Sequence, residues 1–379
     1  MPRNKRWPYN SGLRVPLIVH VPGKFRHLAP NDYRPGAAST RLVSFVDLAP
    51  TLLSLIGLEA PEWMQGRAFL GEHPGRERES LHGFRGRMDE RYDMVRSVRD
   101  QRYVYVRNYL PHLIYGQHLA YMFETPTTQV WKRLYDEGKL KPPQSVFWEP
   151  KPAEELYDLE TDPDEVNNLA GSARHRSVLE RLRAVQQDHA FAVRDVGFLP
   201  EDEIHSRSMG STPYEVGHDD RRYPMARIMA AAELASSLQD GATSRLAALL
   251  GDSDSAVRYW GATGILARGP AAVAETRPAL RKTLADAAPS VRTVAAQALG
   301  QYGGADDVNA ALPVLVRLAD CRRNPLFVAV RALNALDALG ARVKPAADAI
   351  RALPVAGESV DARIREYPGR LLKEILPKL

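Results

Sequence analysis

Lys5-Arg6-Trp7-Pro8-Tyr9-Asn10-Ser11-Gly12-Leu13-Arg14-Val15-Pro16-Leu17-Ile18-Val19-His20-Val21-Pro22-Gly23 is the stretch on which the reading of this chain turns. Val15 to Val21 is a near-continuous apolar run with β-branched residues, bounded by Gly12 and by Pro22-Gly23. Apolar–polar alternation disappears in strands covered on both faces, so the run predicts an interior strand of an α/β sheet. Lys5 precedes it on a loop whose path Pro8 and Gly12 constrain. A cation on a loop beside the end of a buried strand is suited to an anionic ligand.

Outward from that stretch, a chain of 379 residues is long enough for two or more domains. A net charge of +5 is small for this length, and no basic run is interleaved with stacking aromatics. Nucleic acid is therefore not an expected partner. The single cysteine, Cys321, excludes an internal disulfide framework. No apolar run is long enough to span a membrane, and the first residues lack a signal peptide's apolar core.

Residues 24–40 are polar and Pro-rich, hence loop. From Asp47 to Ile56, Leu48, Leu52, Leu55 and Ile56 fall at helical spacing, with Asp47 placed to cap and Gly57 to stop the helix. Trp63 and Met64 are expected to fill a gap in the core. Asp93–Ser97 and Gln101–Tyr109 alternate as a β-hairpin, and Tyr103-Val104-Tyr105-Val106 has strong strand content. A helix is predicted over 127–138, a short strand over 155–159, and a helix over 177–192 that Ser177 and Glu180 would open as a capping box. His189 and His205 have no supporting neighbours in sequence and read as surface histidines.

Beyond residue 222 the composition shifts to Ala and Leu, and the chain repeats itself. Asp254-Ser255-Ala256-Val257-Arg258-Tyr259-Trp260 matches Ala288-Pro289-Ser290-Val291-Arg292-Thr293-Val294, with the Val-Arg pairs 34 positions apart. Val328, Ala332, Ala335 and Leu336 echo the pattern a third time. Ile228–Leu234 reads as a first partial unit and Arg370–Leu376 as a terminal cap. Units of this period resemble HEAT repeats, which bury their apolar faces only by stacking into a solenoid. Arg258 and Arg292 recur at one place in each unit, where pairing with an acidic neighbour between repeats is expected.

Three blocks together carry a second resemblance: the lysine stretch, Ser44-Phe45-Val46-Asp47-Leu48-Ala49-Pro50-Thr51, and Glu155-Leu156-Tyr157-Asp158-Leu159-Glu160-Thr161-Asp162-Pro163 running on to Leu169. Their order and content resemble the C-terminal portion of sulfatases of the alkaline-phosphatase superfamily. The block Arg87-Met88-Asp89-Glu90-Arg91-Tyr92-Asp93 is similar to one in the bacterial branch around heparan N-sulfatase. The resemblance implies hydrolysis of sulfate esters or sulfamates on a sulfated saccharide, with calcium as metal and a periplasmic or secreted location. It implies that Lys5 holds the sulfate and that Arg87, Asp89 and Arg91 face the sugar; a salt-bridged loop is the competing reading of the last three.

The nucleophile of that family lies in a Cys/Ser-x-Pro-x-Arg motif. Cys321 is followed by Pro at the wrong place, and Ser211-Thr212-Pro213-Tyr214-Glu215 has Glu where Arg is required. The Asp-His or Asp-Asn pair that precedes the family's lysine would fall upstream of Met1, and His218-Asp219-Asp220 reads as a solvated turn. The expected architecture is an α/β fragment, the end of a sulfatase α/β sandwich with a small antiparallel-sheet subdomain, over 1–200. A linker over 201–222 and an all-α HEAT-like solenoid over 223–379 complete it. The chain is expected to be inactive alone. The alternative is a non-catalytic module whose solenoid binds a protein partner.

Overall fold

Alternating β-branched and aromatic residues build the centre of a small sheet. In the computed structural model, which describes residues 5–358 and 361–379, this sheet has four antiparallel strands. Their order is β1 (Leu81–Arg85), β2 (Val95–Arg99), β3 (Tyr103–Asn108), β4 (Glu154–Asp158). Val98 pairs with Tyr105, and Tyr105 with Leu156, so these three share a face that the helix Arg176–Ala192 closes with Leu179 and Leu182. Val95, Val104, Val106 and Tyr157 point the other way, into a cluster with Trp7, Tyr9, Tyr115, Phe147 and Trp148. Each large side chain buried there is worth about 1.5–3 kcal/mol.

The hairpin and the helix Pro126–Asp136 fall where the pattern places them, but β1 was not expected. Leu81-His82-Gly83-Phe84-Arg85 carries a central glycine and no β-branched residue, a weak strand signal. Gly83 answers a close approach: a Cβ there would stand 2.6 Å from Leu13 Cδ1 and from Ser97 Oγ, and 3.3 Å from Pro8 Cβ. The lysine loop crosses β1 at that point.

The interior strand expected over Val15–Val21 does not form. Residues 14–22 pair with no strand among the described residues, and Ile18 is 92% exposed. A buried strand needs neighbours on both edges to take its N–H and C=O groups. The described sheet supplies none here, so the run remains an apolar surface. The helix Leu48–Leu55 ends at Gly57, whose φ is +77°, as its spacing predicts. It buries Pro50, Thr51 and Ser54, whereas Leu52 and Ile56 are exposed, as are Phe45 and Val46 just before it. Trp63 fills no core gap: it is 67% exposed.

From Met225 the chain is helical. Helices Thr243–Leu249, Ser255–Ala267, Pro270–Thr283, Pro289–Tyr302, Ala305–Ala319 and Leu326–Ala338 stack in sequence, and Tyr367–Ile375 packs on the last. Asp254 caps its helix by accepting from Ala256 N at 2.8 Å. Arg258 pairs with Asp286 of the next repeat at 2.7 Å, the inter-repeat bridge the sequence suggested. Arg292 makes no such pair among the described residues, and its Nε lies buried without a hydrogen-bond partner there.

Residues 201–222 fold into the helices Glu201–Arg207 and Pro213–Gly217. Glu203 accepts from Ser255 Oγ at 2.7 Å and from Ser290 Oγ at 3.2 Å, tying this stretch to two repeats. Trp260 Nε1 donates to the Phe198 carbonyl at 2.8 Å. One apolar cluster runs from Met94, Tyr109 and Leu110 through Phe198 and Tyr223 into the solenoid. Sheet and solenoid thus share a core. No helix of the described residues is long and apolar enough to cross a membrane.

Candidate functional site

The residues just after Lys5 hold the lysine loop in place. Trp7 and Tyr9 are buried against the sheet, while Lys5 is exposed. Arg6 turns the chain at φ +80°, donates to Asp89 Oδ2 at 3.0 Å and lies 4.4 Å over the Tyr121 ring. Arg85 donates to the Arg6 carbonyl at 2.9 Å and covers Trp7 at 3.9 Å. Tyr9 Oη donates to Glu155 at 2.8 Å. Glu155 is fully buried and also accepts from Asn108, Tyr115 and Tyr157 at 2.6–2.8 Å. Glu165, itself at φ +55°, accepts the N–H groups of Asn10 and Ser11 at 2.9 and 3.2 Å. The block 155–169 therefore grips the loop that carries Lys5.

Below the loop lies an ion pair out of contact with solvent: Lys151 Nζ donates to both Asp93 oxygens at 2.7 and 2.8 Å. Burial pushes the Lys151 ammonium down from its ordinary range, and Asp93 opposes that shift. Asp47, in the middle motif, accepts from Ser44 N and Arg67 N at 2.9 and 2.8 Å and is clamped by Arg78. Burial alone would raise its carboxyl; Arg78 and these N–H groups hold it below the usual range.

The block 87–93 faces the solenoid. Arg87 Nε donates to both Glu201 oxygens at 2.6 and 2.7 Å, and its Nη1 reaches the Asp89 carbonyl at 3.3 Å. Arg91 donates to the His118 carbonyl at 2.8 Å and to Asn334 Oδ1 at 2.9 Å, and pairs with Asp337 at 2.8 Å. Asp89 joins the lysine loop through Arg6, and Arg87 stands next to Asp89. Arg91 is buried and turned away, toward the solenoid.

Cys321 Sγ contacts the Ala356 carbonyl inside the repeats, and Ser211 Oγ donates to Glu215. No group of three or more His, Cys, Asp or Glu among the described residues is arranged to hold a metal ion, so they do not fit the calcium the resemblance implies. His218 bonds the Tyr214 carbonyl and Asp220 pairs with Arg194. His189 is not a lone surface residue: it stacks on His82 with ring centroids 3.6 Å apart. Burial, then the charges of His189 and Arg78, lowers His82 to about 3. His205 likewise stacks on Phe327.

This arrangement is a small sheet unit that presents a lysine loop and is fused through a common core to helical repeats. Residues 3–116 match the family described as N-sulphoglucosamine sulphohydrolase, C-terminal, and residues 244–334 match HEAT repeats. The chain thus carries a segment similar to the C-terminal part of sulfatases and a segment similar to HEAT repeats, as its motifs and period indicated. An ulvan-active sulfatase of Formosa agariphila is 40% identical over 205 residues, covering 54% of this chain and 33% of the relative. A second ulvan-active sulfatase of that organism is 29% identical over 177 residues, 45% of this chain and 32% of the relative. The chain spans about a third of the length of these curated relatives. A designed armadillo repeat protein covers 49% of this chain, and 90% of its own, at 18% identity with a TM-score of 0.29.

Proposed function

We propose that this chain forms the C-terminal part of a sulfatase that hydrolyses sulfate esters or sulfamates on sulfated sugars, and that it is inactive by itself. The observation that carries the reading is the lysine loop, which Glu155 and Glu165 pin at both the Tyr9 side chain and the backbone while Lys5 stays exposed. In this reading Lys5 meets the sulfate as a point charge. Asp89 and Arg87 orient sugar hydroxyls beside it, and Arg91 positions their block through Asn334 and Asp337. We assign the nucleophile and calcium to sequence other than this, because no Cys/Ser-x-Pro-x-Arg motif occurs here.

The exposed apolar surface supports the same reading. Val15, Leu17, Ile18, Phe45, Val46, Leu52 and Ile56 are all exposed within one N-terminal segment of the chain. We assign this segment to packing against the rest of a sulfatase body, and the solenoid to bracing the sheet unit it already touches. Ulvan is the first saccharide to test, because both relatives are named for it.

With calcium and p-nitrocatechol sulfate, the chain should show no turnover above buffer; robust turnover would overturn the assignment. Calorimetry with sulfated and desulfated ulvan oligosaccharides tests Lys5. Sulfate-dependent binding that Lys5→Ala weakens about tenfold is expected, and equal binding of the two forms removes Lys5 from the site.

A further inference from the structure

Between the sheet unit and the solenoid lies a cavity of about 150 Å³, whose lining includes Arg87 and Arg91 of the proposed sugar-facing block, with Asn334 and Asp337, but not Lys5. One wall comes from Tyr92, Leu110 and His112, the other from Tyr259, Thr263 and Arg331. Two polar atoms of lining residues are buried without a hydrogen-bond partner among the described residues, His112 Nδ1 and Thr263 Oγ1, whereas Arg331 Nε faces Asp202 Oδ1 at 3.6 Å. Thr263 is only 3% exposed. Each such atom costs about 1–3 kcal/mol if nothing answers it. Two of them at one cavity, one from the sheet unit and one from the solenoid, point to an occupant.

Charge narrows the choice. The guanidinium groups at the cavity already have carboxylate partners: Arg87 with Glu201, Arg91 with Asp337, and Arg331 with Asp202 at 3.6 Å. An anion would have to compete with those carboxylates. The unanswered groups are a hydroxyl and an imidazole nitrogen. Burial, then the charge of Lys151, pushes His112 down to about 4, so its ring is neutral at ordinary pH. Apolar walls with a few convergent polar groups are the make-up of a small-molecule site. A cavity of this volume takes a molecule on the order of six heavy atoms.

We infer that this cavity binds a small neutral polyol, its hydroxyls meeting Thr263 and His112 and its carbon skeleton lying against the apolar lining of Leu110, Leu113 and Leu266. The site is independent of Lys5, and the polyol bridges sheet unit and solenoid.

Saturation-transfer NMR with glycerol and meso-erythritol on the full chain tests this, with sodium sulfate as the anionic comparison. Saturable erythritol binding is expected, unchanged by sulfate. Thr263→Val, which keeps the shape and loses the hydroxyl, should weaken it at least tenfold, whereas Thr263→Ser retains it. Circular dichroism checks that both variants fold; should Thr263→Val fail to fold, the contrast is read from His112→Phe instead. No saturable binding, equal affinity in Thr263→Val, displacement by sulfate, or a crystal structure with erythritol showing only water in the cavity would each overturn the inference.

Discussion

Removing the carboxylate of Glu155 tests most directly how the lysine loop is held. That side chain is fully buried and accepts from Tyr9, Asn108, Tyr115 and Tyr157 at 2.6–3.0 Å. Hydrogen bonds to a charged group contribute about 1.5–3 kcal/mol each, or roughly 6–12 kcal/mol in gross terms for four. Against this stands the several kcal/mol that burying a carboxylate costs, which the mutant is spared. Glu155→Ala should therefore destabilise the chain by about 3–5 kcal/mol, at the upper end for single substitutions. Trp7, two residues before Tyr9 and packed edge-on against Tyr115 and Phe147, is placed to report the loop. Urea unfolding followed by tryptophan emission measures the loss, and a red shift of emission before global unfolding marks release of the loop. Far-UV circular dichroism should keep its helical signal, because the repeats are anchored elsewhere. A midpoint change worth less than about 1 kcal/mol, with unshifted emission, would refute the proposed latch.

Gly83→Ala should cost about 1–3 kcal/mol by overpacking, because the new Cβ meets Leu13, Ser97 and Pro8; chemical denaturation reads it, and a neutral result would mean the loop does not cross β1 there. Arg91→Met should cost about 3–5 kcal/mol, since it strips a buried partner from Asp337 and Asn334. Limited proteolysis between sheet unit and solenoid should then accelerate. His82 has a folded pKa below its unfolded value, so the unfolded chain binds the extra proton and stability rises with pH from about 3 to 6.5. Its contribution is fully present above that window and is lost as pH falls through it. His82→Gln should flatten that slope by less than the roughly 1.4 kcal/mol per pH unit of one fully buried proton, because the ring is partly exposed; thermal melts at pH 4 to 7 measure it.

Local patterns were legible without coordinates. The helix ending at Gly57, the hairpin of β2 and β3 and the helical units of the repeat all depend on residues close to each other in sequence. Their signals are period and capping, which neighbouring residues set. β1 escaped because its glycine serves a loop far from it in sequence, at Pro8 and Leu13, rather than its own strand. Glu155 escaped because an acid in an alternating strand looks solvated until three tyrosines converge on it.

The sequence by itself determined the β2–β3 hairpin, the helices Leu48–Leu55 and Pro126–Asp136, that the second half repeats, and which motifs occur in which order. Only the tertiary structure decided which of them meet. Arg91 finds its partner 243 positions away, and the apolar run at Val15–Val21 finds no strand to pair with among the described residues. The physical reason is common to both. Periodicity records what a segment is able to bury or bond, whereas burial and ion pairing depend on what the rest of the chain brings within a few ångströms of it.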